Sequence, residues 1–148
     1  MSALREDTLE IALGTIAMLR SAKPGGVRVL ALHGWLDNAA SFARLAPLLA
    51  EHRRVIALDL PGHGHSAHLP AGVHRYNNLD QVGHVLDFAD ALNLDRFDLL
   101  GHSLGAGIAS LAAAAAPART GKLLLIEGLG PLADDGAQTL ARWRDAHA

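Results

Sequence analysis

The sequence predicts an α/β protein in which a mostly parallel sheet carries helices on both faces. Four short aliphatic runs lack the apolar–polar alternation of half-exposed strands, and stretches with helical periodicity separate them. These runs cover residues 27–32, 55–58, 97–100 and 123–126. Polar side chains gather where the runs stop, namely His33, Asp59, Ser103 and Glu127. Because ligands bind at the carboxyl ends of parallel strands, we expect the functional site at this edge of the sheet.

The first half of the chain predicts two edge strands and a short helical region. Residues 9–19 fit two edge strands around Gly14. After the first buried run, Ser41 is the predicted N-cap of a helix with an apolar face. Pro47 is expected to split this helix into two short turns.

Two longer helices are predicted in the second half. Asn78 and Gln81 fit the N-cap and N3 positions of a capping box. Residues 108–116 form a second helical pattern, which Pro117 ends. This pattern is apolar nearly all round, so we expect the helix to be packed on both sides.

Composition excludes several classes of function. The chain has 148 residues, a formal charge of −2 and no cysteine, so a disulfide scaffold and a thiolate nucleophile are excluded. No block of Lys or Arg indicates a nucleic acid or a membrane as partner. The start is acidic, and no apolar run approaches the roughly 18–20 residues of a membrane span. These features predict a cytoplasmic protein.

The segment Gly101-His102-Ser103-Leu104-Gly105 carries the strongest chemical signal. It is a G-x-S-x-G motif between a predicted buried strand and an Ala-rich helix, as in a nucleophile elbow. The tight turn holds the serine in a strained conformation, and flanking glycines let the helix pass close to the strand. We therefore predict that Ser103 is a nucleophile.

A serine nucleophile requires donors for the developing oxyanion. The backbone N–H of Leu104 is one predicted donor. The loop after an earlier strand supplies the second in such sites, and that loop is His33-Gly34-Trp35-Leu36 here. We expect the Trp35 N–H to complete the oxyanion hole, although simple packing also accounts for its side chain.

Neither the histidines nor the glycines predict a metal or cofactor. His63, His65 and His68 alternate with other residues in a loop and lack the spacing of a helical metal motif, so turn formation explains them better. His102 is expected to point away from the substrate side. The glycine clusters lack the spacing of phosphate-binding loops, which disfavours a nucleotide-binding protein.

With these residues identified, the chain resembles the α/β-hydrolase family, and in finer detail its serine hydrolase-like branch. Four stretches match in the family's order, and together they cover most of residues 9–130. They are residues 33–35, 59–66, 101–105 and the strand that ends at Glu127. The family's dehalogenases and epoxide hydrolases have Asp at the nucleophile position. Ser103 therefore points to acyl transfer on a carboxylic ester or related small-molecule substrate.

The resemblance implies a triad whose order is serine, acid, histidine. Glu127 matches one place where the family has its acid, with a structural carboxylate as the alternative. The base would follow a later strand, which we expect to lie outside this chain. His147 is the only histidine after Glu127, and its helical context next to the terminus argues against it. The base is therefore expected outside this chain.

The resemblance thus extends to the N-terminal half of the fold only. Residues 1–130 are predicted to form the first part of the core and residues 131–148 the start of a lid helix, with the fold truncated before the last core strands. The final strand would then be an exposed edge open to self-association. Three interpretations remain: a truncated hydrolase, a half that pairs with another chain, and a non-catalytic remnant or binding module.

Overall fold

A computed structural model describes residues 4–22, 26–73 and 76–128. They form one six-stranded sheet in the order β1-β2-β4-β3-β5-β6. The strands are β1 (Leu4–Ile11), β2 (Gly14–Ser21), β3 (Val27–Leu32), β4 (Arg53–Leu58), β5 (Phe97–His102) and β6 (Thr120–Ile126). β4, β3, β5 and β6 run parallel to one another, which confirms the predicted α/β class.

The N-terminal hairpin differs in part from the sequence prediction. β1 and β2 pair antiparallel from Leu4 opposite Ser21 to Ile11 opposite Gly14, so the turn at Gly14 is correct. However, β2 is an interior strand because its other side pairs with β4 through Met18, Leu19 and Arg20. Of these two strands, β1 alone lies at an edge of the sheet.

Helices cover both faces of the sheet, as predicted. They are α1 (Ala46–Leu49), α2 (Asn78–Ala91) and α3 (Leu104–Ala115), and a 3₁₀ turn spans Ala39–Phe42. Leu30 and Leu32 of β3 belong to the core that contains α2 and α3. Val29 and Ala31 point to the opposite face, where they pack with the 3₁₀ turn and α1.

Both predicted N-caps are wrong, although the elements they begin are present. Asn38, not Ser41, caps the 3₁₀ turn, because its side chain accepts from Ala40 N–H. Asn77, not Asn78, caps α2, because its extended backbone lets its side chain accept from the N–H groups of Leu79 and Asp80. Pro47 lies in the first turn of α1, so two short turns replace one helix as expected.

Helix α3 begins four residues earlier than predicted, immediately after Ser103. Its side chains at 105–109 and at Ala112 are buried, whereas Ala114 and Ala115 are exposed. The expected packing on both sides therefore holds only for its first two turns.

β6 lies at the sheet edge opposite β1. Its consecutive apolar residues 123–126 are 38–44% exposed, on both faces of the strand. The predicted lid helix over 131–148, the boundary at residue 130 and His147 lie outside the described residues. None of the helices in the described ranges combines the length and apolar character needed to cross a membrane.

Candidate active site

Ser103 occupies a strained turn between β5 and α3. Its backbone has φ 50° and ψ −113°, a region that non-glycine residues rarely adopt. Two hydrogen bonds hold this conformation: Ser103 N–H donates to Ile126 O at 3.0 Å, and Ala106 N–H donates to Ser103 O at 2.9 Å. The residue is exposed at the carboxyl end of the sheet. The turn thus leaves Ser103 accessible at this end of the sheet.

The two flanking glycines are required by close backbone contacts. A Cβ at Gly105 would lie 2.1 Å from Leu32 O, and one at Gly101 would lie 2.3 Å from Gly105 O. Both neighbouring atoms belong to the backbone and cannot rotate away. The glycines flanking Ser103 are therefore needed for the predicted reason, because α3 crosses β3 and β5 too closely to leave room for a side chain.

The loop after β3 lies against the elbow. A Cβ at Gly34 would lie 3.5 Å from Ser103 Cβ, so the segment from His33 to Leu36 borders Ser103. The Trp35 side chain is 74% exposed, which argues against a packing role within the described residues. Among the residues that the structure describes, neither the Trp35 N–H nor the Leu104 N–H donates a hydrogen bond. Both predicted oxyanion donors are thus unengaged.

His33 holds this loop in place. Its Nδ1–H donates to Gly34 O at 2.7 Å, and its Nε2 accepts from Leu60 N–H at 3.0 Å. This pattern requires the neutral ring, since both nitrogens of a protonated ring would be donors. Burial lowers the pKa of His33, which also favours the neutral form. His33 therefore joins the ends of β3 and β4 and is not a free base.

Asp59 organises the neighbouring loop in a similar way. Its buried carboxylate accepts from Ala39 N–H and from His65 N–H, each at 2.7 Å. Gly64 has φ +51°, and a Cβ there would lie 2.1 Å from Asp59 Oδ2. Sequence reasoning placed His33 and Asp59 at the correct edge but missed these structural roles. The signal was available, since each directly follows a buried strand and precedes a glycine-containing loop.

Glu127 lies beside the residue that precedes the nucleophile. Its Oε2 is 3.3 Å from His102 Nε2, while the Glu127 side chain remains 80% exposed. Glu127 also has a positive φ of 50°. A Cβ at Gly34 would lie 3.2 Å from His102 Nδ1, so the His102 ring lies between Gly34 and Glu127. The candidate acid is thus near the elbow, with His102 as its partner.

Comparison with known proteins identifies the family of this chain. A family model described as the alpha/beta hydrolase fold matches residues 27–147. The chain belongs to this family. It is 43% identical over 120 residues to a serine hydrolase-like protein of Dictyostelium discoideum, covering 80% of this chain and 33% of that protein. It is 38% identical over 124 residues to the human serine hydrolase-like protein, covering 84% of this chain and 61% of that protein.

Solved structures agree with this assignment. A hypothetical protein from Pseudomonas aeruginosa PAO1 superposes with a TM-score of 0.86 at 41% identity, over 99% of this chain and 51% of that one. A thioesterase domain from the curacin biosynthetic pathway superposes with a TM-score of 0.81 at 31% identity, over 97% of this chain and 53% of that one. This chain spans between about a third and three fifths of the lengths of these four proteins.

Within the described residues of this α/β-hydrolase chain, the structure places no histidine as a hydrogen-bond partner of Ser103. The His102 ring contacts Glu127 instead. The His63 and His68 rings each meet a backbone carbonyl oxygen two residues earlier in the chain. Within the described ranges, no group of three or more His, Cys, Asp or Glu side chains is placed so that it could hold a metal ion.

Proposed function

We propose that this chain carries the nucleophile half of a serine hydrolase that cleaves a carboxylic ester or a related acyl substrate. The observation that carries the proposal is the conformation of Ser103, with φ 50° and ψ −113° directly before α3. Such strain persists only where surrounding contacts impose it, and here Gly101 and Gly105 permit the close packing that does so.

The reaction begins when Ser103 Oγ attacks the substrate carbonyl carbon and its proton passes to a base. The carbonyl oxygen becomes an oxyanion, which accepts hydrogen bonds from the N–H groups of Trp35 and Leu104. Leu104 is the first residue of α3, so the positive end of the helix dipole adds to this stabilisation. The alcohol or thiol leaves with the proton, and water then hydrolyses the acyl-enzyme. This sequence of steps uses no cofactor.

Glu127 is proposed as the acid that orients the base, and the base itself is assigned to a histidine outside the described residues. The position of Glu127 at the end of β6 supports this role, because it is close to the elbow and largely exposed. The name of the neighbouring thioesterase domain supports an acyl substrate for this chain. Serine at the nucleophile position agrees with the same chemistry.

The test is labelling with a fluorophosphonate probe in a full-length relative that carries the later strands of the fold, because the base is assigned outside the described residues. The adduct is located by mass spectrometry. We expect the label on the serine at the position of Ser103 and its loss when that serine is replaced by alanine. Replacement at the position of Ser110 is the matched control, because Ser110 lies on the same helix and its hydroxyl donates to Ala106 O. Labelling that survives the loss of the serine at position 103 would refute the assignment.

The second candidate is a non-catalytic pairing module built on the same half-fold. The exposed apolar residues of β6 favour it, because an open strand of this composition is a template for pairing with another chain. Light scattering combined with an ester assay separates the two. A stable, inactive oligomer supports the module, whereas ester turnover that requires Ser103 supports the hydrolase.

A further inference from the structure

A second groove lies at the end of the sheet opposite Ser103. It has a volume of about 320 Å³ and collects residues from the amino ends of all four parallel strands. The charged residues that line it are Arg28 at the start of β3, Arg53 at the start of β4, Arg96 before β5, Asp98 in β5 and Lys122 in β6. Four basic residues and one acidic residue thus line the groove.

Among these basic residues, Arg53 alone lies within ion-pair distance of the Asp98 carboxylate in the described ranges. Asp98 is buried, its Oδ1 accepts from the backbone N–H of Lys122 at 2.8 Å, and its Oδ2 is 3.6 Å from Arg53 Nε. Within the described ranges, the side chains of Arg28, Arg96 and Lys122 have no ion pair with a carboxylate. The groove therefore retains a positive charge that this part of the protein does not neutralise.

The strand register separates the basic residues of the groove onto two faces of the sheet. Arg28 pairs with Arg54 across β3 and β4 and, like Leu30, belongs to the face that carries α2 and α3. Asp98 pairs with Val29, and Arg53 pairs with Val27, so both belong to the other face. Arg53 is therefore the strand cation that shares the face of Asp98.

The shape of the groove suits a small ligand. Gly26 and Gly121 line it and leave space where side chains would otherwise project. At Gly121 this is obligatory, because a Cβ would lie 2.4 Å from Asp98 Oδ1. The volume is at the lower end of the range of about 300–1,000 Å³ typical of small-molecule sites. Arginine is the preferred partner of phosphate oxygens because its planar fork donates two parallel hydrogen bonds.

We propose that this groove binds a small phosphate-type oxyanion from solution, such as a phosphate monoester or pyrophosphate group. Arg96 and Lys122 hold the anion together with Arg53, which Asp98 positions. The site is independent of the proposed hydrolase chemistry, because Ser103 lies at the other end of the strands.

The test is a titration of the ¹⁵N-labelled chain with pyrophosphate and with inorganic phosphate, at an ionic strength held constant with sodium chloride. We expect saturable shifts of the Gly26 and Gly121 amide signals, with identical shifts in Ser103→Ala. Arg96→Gln and Lys122→Gln should each weaken pyrophosphate binding about tenfold, the size expected for one charge-assisted hydrogen bond. Arg44→Gln removes an exposed cation that does not line the groove, and we expect no change in affinity.

Three outcomes would overturn the proposal. The first is shifts that do not saturate or that sodium chloride reproduces. The second is equal affinity in the groove variants and in Arg44→Gln, with Arg96→Gln as the decisive variant because Arg96 is exposed and its removal leaves the core intact. The third is sedimentation with phosphatidylglycerol vesicles in the absence of binding to free phosphate, which would identify a lipid surface as the partner.

Discussion

The replacement of Gly105 by alanine tests the physical basis of the elbow. The added Cβ would lie 2.1 Å from Leu32 O, 2.5 Å from Leu32 C and 2.7 Å from His33 O. To reach even 3.0 Å from Leu32 O, α3 and β3 must separate by about 0.9 Å, the difference between 3.0 Å and 2.1 Å. Overpacking of this kind costs about 1–3 kcal/mol, and a contact with backbone atoms belongs at the upper end.

The same substitution also brings a gain, because alanine favours the helix over glycine by about 1 kcal/mol. We therefore expect Gly105→Ala to lower the free energy of unfolding by about 2 kcal/mol. Gly83→Ala is the matched control, because Gly83 lies inside α2 and its added Cβ would meet nothing within 4 Å. This control should raise the free energy of unfolding by about 1 kcal/mol. The two variants should differ by about 3 kcal/mol.

Urea unfolding followed by far-ultraviolet circular dichroism measures both changes, provided that the slope with urea is unchanged. Gly105→Ala should also reduce fluorophosphonate labelling, because displacement of α3 from β3 changes the position of the Leu104 N–H relative to the Trp35 N–H, the other proposed oxyanion donor. Equal stabilisation by the two variants would show that α3 does not press on β3 and would refute the steric account of the elbow.

Three further predictions concern the supports of the site and the open sheet edge. Burial holds the pKa of His33 in the folded protein below its ordinary value of 6.5. The neutral ring's contribution to stability is therefore present above pH 6.5 and is lost as the pH falls below that value. Urea titrations between pH 7.5 and 5.5 should therefore show a shallower loss in His33→Gln than in wild type, by up to about 1.4 kcal/mol per pH unit; parallel slopes would contradict this role. Asp59→Asn should cost about 2–3 kcal/mol in the same unfolding assay at pH 7, because an amide cannot accept from both N–H donors, and an unchanged midpoint would contradict it. Leu124→Lys should reduce self-association through β6 in light scattering, whereas Leu48→Lys, at an exposed site on α1, should not; equal effects would exclude the β6 edge as the contact.

The parts of the fold that local patterns specify were predictable. The aliphatic runs predicted four parallel strands, since only strands covered on both faces lack alternation. The G-x-S-x-G segment predicted the turn at Ser103, because its glycines and its position between strand and helix are local properties. The cap of α2 was misplaced by one residue, since Asn77 and Asn78 have the same side chain and only backbone conformation distinguishes them.

Features that join distant parts of the chain required the structure. Glu127 was predicted as a candidate acid from its position after a strand, yet its contact with His102 arises from the pairing of β5 with β6. The roles of His33 and Asp59 depend on loops that their own neighbourhoods do not specify. No sequence pattern pointed to the basic groove, because each parallel strand contributes a separate cation to it.

The sequence alone determined the fold class and the identity of the candidate nucleophile, because hydrophobic periodicity and a tight glycine-flanked turn act over a few neighbouring residues. Only the tertiary structure decided why Gly105 must lack a side chain, through its contact with Leu32, and why the His33 ring must be neutral, through its bond from Leu60 N–H. These outcomes depend on distances between strands and helices. Such distances are set when the sheet assembles, after local preferences have already been satisfied.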